Sequence, residues 1–99
     1  MFNTTLYNSY KSEAERKNLC EIGNLKYCND GKTIVFITKY RNEEFVVSSS
    51  QHNTRQIGLV VSLCGTQPIH FSDSVDVRSQ SLNNLIFAMN EILDKRTRE

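Results

Sequence analysis

The sequence predicts an α+β fold: an antiparallel sheet of three to five strands, a C-terminal amphipathic helix packed on one face, and a short N-terminal helix. One observation is that residues 45–72 contain a single formally charged side chain, Arg55. So long an uncharged stretch has to be largely covered by other parts of the chain. A second observation is that apolar residues recur at the spacing of one helical stripe from Ser79 to about Arg96. We expect this helix to cover the uncharged stretch.

The N-terminal part of the chain carries the signals of one short helix. Ser12 and Glu15 have the spacing of a capping box, and Gly23 is a residue type that commonly ends a helix. These signals predict a helix over residues 13–22 with a thin apolar face, whose candidates for burial are Ala14, Leu19, Cys20 and Ile22. Ahead of it, residues 2–10 alternate in a way that allows either a short strand or a loose arm.

Two polar breaks divide the next region into antiparallel strands. Residues 25–28 and 33–40 flank the break at 29–32, in which the Asp-Gly pair is a strong hairpin signal. Residues 41–44 form the second break, and 45–49 have the composition of the strand that follows it. The expected strand order is therefore a meander.

A further strand at residues 57–64 has large side chains on one parity and mostly small ones on the other. The large set, which we expect to face the core, is Ile57, Leu59, Val61 and Leu63. Residues 48–56 lack apolar anchors, so an exposed loop is expected before this strand. After the strand, residues 69–71 could pair briefly before the polar residues 72–74 break the chain again.

The C-terminal helix has the strongest pattern of any element. Its apolar stripe consists of Leu82, Leu85, Ile86, Met89, Ile92 and Leu93. Ser79 or Ser81 can cap its first turn. Burying these six side chains at about 1.5 to 3 kcal/mol each outweighs the capping and dipole contributions, so we expect this helix to close the core.

Length and composition are those of one globular domain spanning residues 1–99. Twelve Lys and Arg against eleven Asp and Glu give a net charge of +1, which provides no overall field to attract nucleic acid or an anionic membrane. The chain lacks an apolar run long enough to span a bilayer and a signal-peptide core, so we expect a cytoplasmic protein without a membrane partner. An odd number of cysteines, three, fits a reducing compartment.

The residues that could carry chemistry are scattered. Soft metal ligands are Cys20, Cys28, His52, Cys64 and His70. They include no paired C-x-x-C or H-x-x-x-H spacing, and the four glycines form no phosphate-binding motif, so neither a metal nor another cofactor is expected. Residues 70–73 combine a base, a hydroxyl and a carboxylate, but neighbours on a strand point to opposite faces. A turn explains that segment better, and the sequence predicts neither a catalytic residue nor an enzyme.

Two short polar segments are candidates for contact with another macromolecule. The candidate binding residues are Lys39, Tyr40 and Arg41 at the predicted turn, and His52, Asn53 and Arg55 in the predicted loop. They combine cations, hydrogen-bonding groups and an aromatic ring. The order helix, three strands, helix resembles that of double-stranded RNA-binding domains, which implies contacts to phosphate and ribose. Those domains begin their final helix with lysines, whereas residues 79–84 contain none, and this disfavours RNA.

The sequence therefore favours a small, non-catalytic intracellular protein that binds a protein partner and modulates or inhibits it, as inhibitors, immunity proteins and anti-defence proteins do. The uncharged segment between the strands could dock without desolvating many charges. The alternative is a regulatory module that binds RNA or DNA. Compact domains without motifs are frequent among phage and mobile-element products, and either a monomer or a homodimer is expected.

Overall fold

In the part of the chain that the structure describes, the fold consists of two helices and a five-stranded antiparallel sheet. The computed structural model describes residues 2–29, 32–53, 55–64, 70–76 and 81–98. The elements in chain order are α1 (Phe2–Lys17), β1 (Glu21–Asn29), β2 (Thr33–Tyr40), β3 (Glu43–Gln51), β4 (Gln56–Leu63), β5 (His70–Asp76) and α2 (Leu82–Arg98). The strands lie in sequence order, each antiparallel to the next. The predicted α+β class, the meander and the C-terminal helix are confirmed.

The hydrophobic core lies between one face of the sheet and both helices. Alternate residues of the central strands are buried there, namely Ile34, Phe36, Phe45, Val47, Ile57, Leu59, Val61 and Leu63. Helix α2 buries Leu82, Leu85, Ala88, Met89, Ile92 and Leu93 against them. The predicted parity of β4 and the predicted helical stripe are thus confirmed, with Ile86 partly buried at the edge of the core.

The N-terminal helix is longer than predicted and occupies residues that were expected to be a strand or an arm. Leu6, Tyr7, Tyr10 and Ala14 form a helical stripe, and all four side chains are buried. Ser12 therefore lies inside α1 and does not cap it. The helix ends after Lys17, where Asn18 adopts a φ of 53°, the left-handed conformation that commonly closes a helix.

Gly23 lies within strand β1, so its predicted role at the end of a helix is wrong. A Cβ atom at this position would lie 3.0 Å from the carbonyl oxygen of Ile37. The pairing register of β1 shifts between Ile22 and Leu25, and the Tyr7 hydroxyl donates a hydrogen bond to the Gly23 carbonyl at 2.6 Å. The glycine thus allows the backbones of β1 and β2 to approach closely where the pairing of β1 is irregular.

Two tyrosines fasten α1 to the sheet. The ring centroids of Tyr7 and Phe36 lie 5.2 Å apart in an edge-on arrangement, and those of Tyr10 and Phe36 lie 6.5 Å apart. Burial raises the pKa of Tyr10, and the nearby charge of Glu13 raises it further. The phenol of Tyr10 therefore stays neutral at physiological pH.

Three segments expected to be loops or turns belong to strands. Residues 48–51 complete β3, and residues 43–44 begin it. Residues 72–74, expected to break the chain, lie inside β5. Each segment pairs with a neighbouring strand, and this pairing outweighs the low strand propensity of serine and acidic residues. The predictions at residue 69 and at Ser79 lie outside the described residues.

The two helices are joined by a capping interaction. The backbone N–H of Leu82, the first residue of α2, donates a hydrogen bond to Glu13 Oε2 at 3.2 Å. This bond is the largest cause that lowers the pKa of Glu13, and Lys17 Nζ, 3.4 Å from Oε1, lowers it further. A carboxylate on α1 thus complements the positive end of the α2 dipole.

The second face of the sheet carries neither helix within the described part of the chain. Its side chains on β2, β3 and β4 are partly exposed and are small or β-branched: Thr33, Val35, Ile37, Val46, Ser48, Ser50, Gly58, Val60 and Ser62. We call these nine residues the open face.

Candidate functional site

The candidate binding residues lie in two groups at opposite ends of the sheet. Lys39, Tyr40 and Arg41 are at the β2–β3 connection, which we call the turn end. His52, Asn53 and Arg55 are in the β3–β4 connection, the loop end. Strand β3 separates them, and its nine residues span roughly 27 Å. The fold therefore does not combine the six residues in one surface.

At the turn end, the chain reverses through two residues with positive φ. Arg41 has a φ of 53° and Asn42 a φ of 64°. Two successive residues in this conformation are typical of the tight hairpin turns that match the twist of antiparallel strands. The predicted break at residues 41–44 is thus shorter than expected, because Glu43 and Glu44 already pair in β3.

The side chains of the turn are tied to α2 through one amide. Asn90 Oδ1 accepts a hydrogen bond from the Tyr40 hydroxyl at 2.9 Å and from Arg41 Nη1 at 3.3 Å. Two of the candidate binding residues therefore hold the turn in place. A guanidinium carries five N–H donors, so Arg41 can make this contact and still present donors at the surface.

The end of α1 lies beside this turn. After Asn18 reverses the chain, Leu19 leaves 43% of its surface exposed, and Cys20 is half-buried at the start of β1. Burial raises the pKa of the Cys20 thiol to about 11. At neutral pH this thiol is protonated, which makes it a poor nucleophile and metal ligand.

Together these segments enclose a recess of about 380 Å³, which we call the turn-end recess. It is lined by Asn18, Leu19, Cys20, Glu21, Lys39, Tyr40, Arg41 and Asn42. Three of the candidate binding residues are among them, next to the exposed leucine. The recess offers apolar surface from Leu19, two cations from Lys39 and Arg41, and one carboxylate from Glu21.

A second depression of about 400 Å³ adjoins the first along the irregular part of β1. It shares Glu21 and Lys39 with the turn-end recess, and these two residues pair across β1 and β2. The absence of a side chain at Gly23 deepens it. The polar groups of the sheet's β1 edge are therefore reachable from the same end of the molecule.

At the loop end, Asn53 organises the chain reversal. Its Oδ1 accepts hydrogen bonds from the backbone N–H of Arg55 at 2.8 Å and of Gln56 at 3.0 Å. This is the arrangement in which an asparagine side chain substitutes for a backbone turn. The backbone N–H of His52 donates a hydrogen bond to the Gln56 carbonyl at 2.9 Å, so the connection between β3 and β4 consists of residues 52–55 alone.

His52 lies against the open face. A Cβ atom added to Gly58 would come within 2.5 Å of His52 Nε2, so the imidazole occupies the space above this glycine. Asn53 and His52 are thus engaged with the fold, and Arg55 is the exposed cation of the loop end.

The cysteines and histidines noted in the sequence, from which no metal site was expected, are spread over several elements in the described part of the chain. No group of three His, Cys, Asp or Glu side chains that could hold a metal ion occurs there. Cys20, Cys28 and Cys64 are free thiols, and the last two are exposed. The side chains of residues 70–73 lie outside what the structure describes.

Neither described helix combines the length and the apolar character needed to cross a bilayer. Comparison with protein families, with characterised proteins and with solved structures finds no match to this chain. Function has to be inferred from the surfaces of the fold itself.

Sequence reasoning identified the cations of the turn-end recess but missed its apolar component. Leu19 belonged to the buried stripe of the predicted 13–22 helix, and it became exposed because α1 ends at Lys17. The signal that could have found it is the stripe Leu6, Tyr10, Ala14, whose helical spacing places the helix further toward the N-terminus.

Proposed function

We propose that this chain is a non-catalytic protein that binds a protein partner through the turn-end recess and modulates it, in the manner of inhibitors and immunity proteins. The observation that carries the proposal is the position of Leu19, 43% exposed, beside Lys39 and Arg41 in a recess of about 380 Å³. Tyr40 and Arg41, which also line the recess, are residue types enriched in interface hot spots, and Leu19 adds exposed apolar surface beside them.

The chemistry of the recess indicates the kind of segment it would accept. Leu19 would contact one apolar side chain, and the cations would pair with a carboxylate close to it in the partner. Asn18, Arg41 and Asn42 provide a stiff rim because their left-handed backbone conformations are held by the ends of α1 and the β2–β3 turn. A preorganised rim lowers the entropy cost of binding.

The alternative function, binding of RNA or DNA, has weaker support. A nucleic-acid surface requires several cations along one path of phosphates. Arg41 and Arg55 lie at opposite ends of β3, roughly 27 Å apart by strand length. A cytoplasmic location remains part of the proposal, since three free cysteines are typical of a reducing compartment.

The test is purification of the tagged chain from its native cell, with both protein and nucleic acid identified in the eluate. We expect one protein to copurify in a fixed ratio and to remain through a salt wash. Leu19→Asp and Arg41→Glu should each reduce its recovery about tenfold or more, since each replaces a side chain that lines the recess.

Arg55→Glu is the matched control, because it makes the same charge change at the far end of the sheet. It should leave recovery of the protein unchanged. If nucleic acid is recovered instead, and both arginine variants weaken its binding while salt abolishes it, the proposal is wrong and the alternative holds.

A further inference from the structure

The open face has an alternating pattern of large and small side chains. On β3, Val46 is followed two residues later by Ser48, and on β4, Val60 is followed by Ser62. The register pairs Val46 with Ser62 and Ser48 with Val60. Large and small residues therefore form a checkerboard across the two strands, with the smooth ridge of Val35 and Ile37 beside it on β2.

The centre of this face is also free of charge on its described strands. Lys39 and Glu44 are cross-strand partners at the turn end, where each can neutralise the other. The Thr33 hydroxyl donates a hydrogen bond to Ser50 Oγ at 3.2 Å, so these two hydroxyls of the face satisfy one another. None of the nine residues of the open face is charged, so covering them would bury no charge.

We propose that the open face binds a second copy of this chain, forming a symmetric dimer in which the two sheets pack face to face. The two-fold axis lies between the two sheets, perpendicular to the strands, and passes midway between Val46 and Ser48. It therefore exchanges the positions of large and small side chains along β3 and β4. It then sets Val46 over Ser48 of the second copy and Val60 over Ser62 of the second copy. Each valine of the checkerboard thus meets a serine, which is the complementarity that a self-associating surface requires, and on β2 Val35 meets Ile37 of the second copy.

The size of the face fits such a dimer. One whole side of the sheet, in which β1 and β5 flank the open face, has five strands about 4.8 Å apart with residues about 3.4 Å apart along seven or eight positions, which gives roughly 600 Å² per copy and roughly 1,200 Å² in total. A specific interface needs about 1,000 Å² or more. Facing sheets pack about 10 Å apart with their strands about 30° off parallel. Because of this angle, residues of the two copies lie directly opposite each other only near the centre of the sheet.

Other occupants fit this surface less well. Nucleic acid requires cations, and the rows of Val46 and Ser48 on β2 to β4 have none. A strongly charged protein would gain no complementary partner there. The turn-end recess lies at the end of the sheet, so the dimer does not rest on the proposed function and both copies could bind at that recess.

The test measures the mass of the purified chain in solution by sedimentation over about a hundredfold range of concentration. We expect twice the mass of the chain at high concentration. Val46→Lys should weaken the dimer at least about tenfold, since it places an unpaired ammonium between the sheets. Phe87→Lys, a matched change at a 57% exposed position on α2, should leave the dimer intact.

Two results would overturn the proposal: a wild-type chain that stays monomeric throughout, or a dimer that survives Val46→Lys in a folded variant. Circular dichroism establishes folding, and Ser62→Lys gives a second measurement at the same interface should Val46→Lys unfold. A monomer that pairs with a different protein through this face would also count against a second copy.

The orientation of the two-fold axis can be tested by disulfide formation in a Cys28→Ser, Cys64→Ser background. A mixture of Val46→Cys and Ser48→Cys chains should cross-link more than either chain alone. A two-fold axis along the strands would instead set residue 46 over its own equivalent. Preferential cross-linking of Val46→Cys alone would therefore refute the proposed arrangement.

Discussion

The two faces of the sheet differ in role: one stabilises the fold, and the other is the face proposed to bind a second copy. On β2 to β4, residues of one parity are buried under α1 and α2, whereas residues of the other parity form the open face. The covered side is large and almost wholly apolar, as at Phe36, Phe45 and Leu59. The open side alternates valine with serine and glycine. Neighbouring residues of a strand point to opposite faces. A substitution at one position therefore affects the core, whereas the same substitution at the next position affects a potential interface.

The largest expected effect comes from placing a charge on the covered side. Leu85 lies on the core-facing side of α2 and is fully buried, so Leu85→Asp should lower the unfolding free energy by about 4 kcal/mol or more and abolish the cooperative thermal transition. Met89→Asp should act in the same way. The measurement is thermal unfolding followed by circular dichroism.

Phe87 supplies the control on the same helix. Its side chain is 57% exposed, and Phe87→Asp should change the unfolding free energy by no more than about 0.5 kcal/mol. A Leu85→Asp protein that melts like the wild type would show that α2 does not close the core.

The elements that could be predicted from the sequence are those whose pattern repeats often enough to exclude the alternatives. The α2 stripe and the β4 parity each extend over several repeats, and both are confirmed. On either side of the break expected at residues 29–32, β1 and β2 pair antiparallel, with Asn29 paired to Thr33 and the backbone N–H of Lys32 donating to the Asn29 carbonyl, while Asp30 and Gly31 lie outside the described residues. These signals are local and agree with the tertiary packing.

The wrong predictions concern segments whose structure depends on distant partners. Residues 48–51 form a strand because β2 and β4 pair with them on both sides, although their serines have low strand propensity. The capping-box spacing of Ser12 and Glu15 occurs inside α1 and carries no meaning there. Of the candidate site, the cations could be predicted, but the position of Leu19 depended on where α1 ends.

A smaller effect is expected from the carboxylate that joins the two helices. Glu13→Ala removes the acceptor for the Leu82 N–H and should lower the unfolding free energy by about 1 kcal/mol. Because the pKa of Glu13 is lowered in the folded chain, its stabilisation is present above the ordinary value of 4.5 and is lost as pH falls through the lowered pKa.

Glu13→Gln separates charge from hydrogen bonding, because an amide oxygen can still accept the Leu82 N–H. This variant should be more stable than Glu13→Ala and should lose less stability than the wild type between neutral pH and acid. The measurement is urea unfolding at a series of pH values. Identical acid dependence of Glu13→Gln and wild type would contradict the role assigned to the carboxylate.

The covered side contains one polar group whose removal should stabilise the chain. Thr38 is fully buried, and among the described residues its Oγ1 has no hydrogen-bond partner. Thr38→Val keeps the shape and removes the unsatisfied hydroxyl, so we expect the unfolding free energy to rise by about 1 kcal/mol. Denaturant unfolding measures this rise, and the slope of the unfolding free energy against denaturant concentration should be the same as in the wild type.

Ser49 is the matched control for Thr38, since it is buried on the same side but has an interaction partner. Ser49→Ala should lower stability, opposite in sign to Thr38→Val. Loss of stability in both variants would mean that the Thr38 hydroxyl is satisfied in solution.

The smallest effect is expected at the glycine of the open face, and a second glycine shows why. At Gly58 a Cβ atom would meet the imidazole of His52, which is the end of an exposed side chain and can move away. At Gly23 it would meet the Ile37 carbonyl, which is part of a paired strand. Gly58→Ala should therefore stay within about 0.5 kcal/mol of wild type, whereas Gly23→Ala should cost roughly 1 kcal/mol.

The two substitutions also differ in what they disturb. Gly58→Ala should shift the NMR signals of the His52 ring while leaving the amide signals of β2 in place, because the side chain moves and the backbone does not. Gly23→Ala should shift the amide signals of Ile37 and its neighbours, since the carbonyl has to yield. If Gly58→Ala proved the more destabilising, His52 would be a structural part of the open face, and its ring would belong to the interface between the two copies.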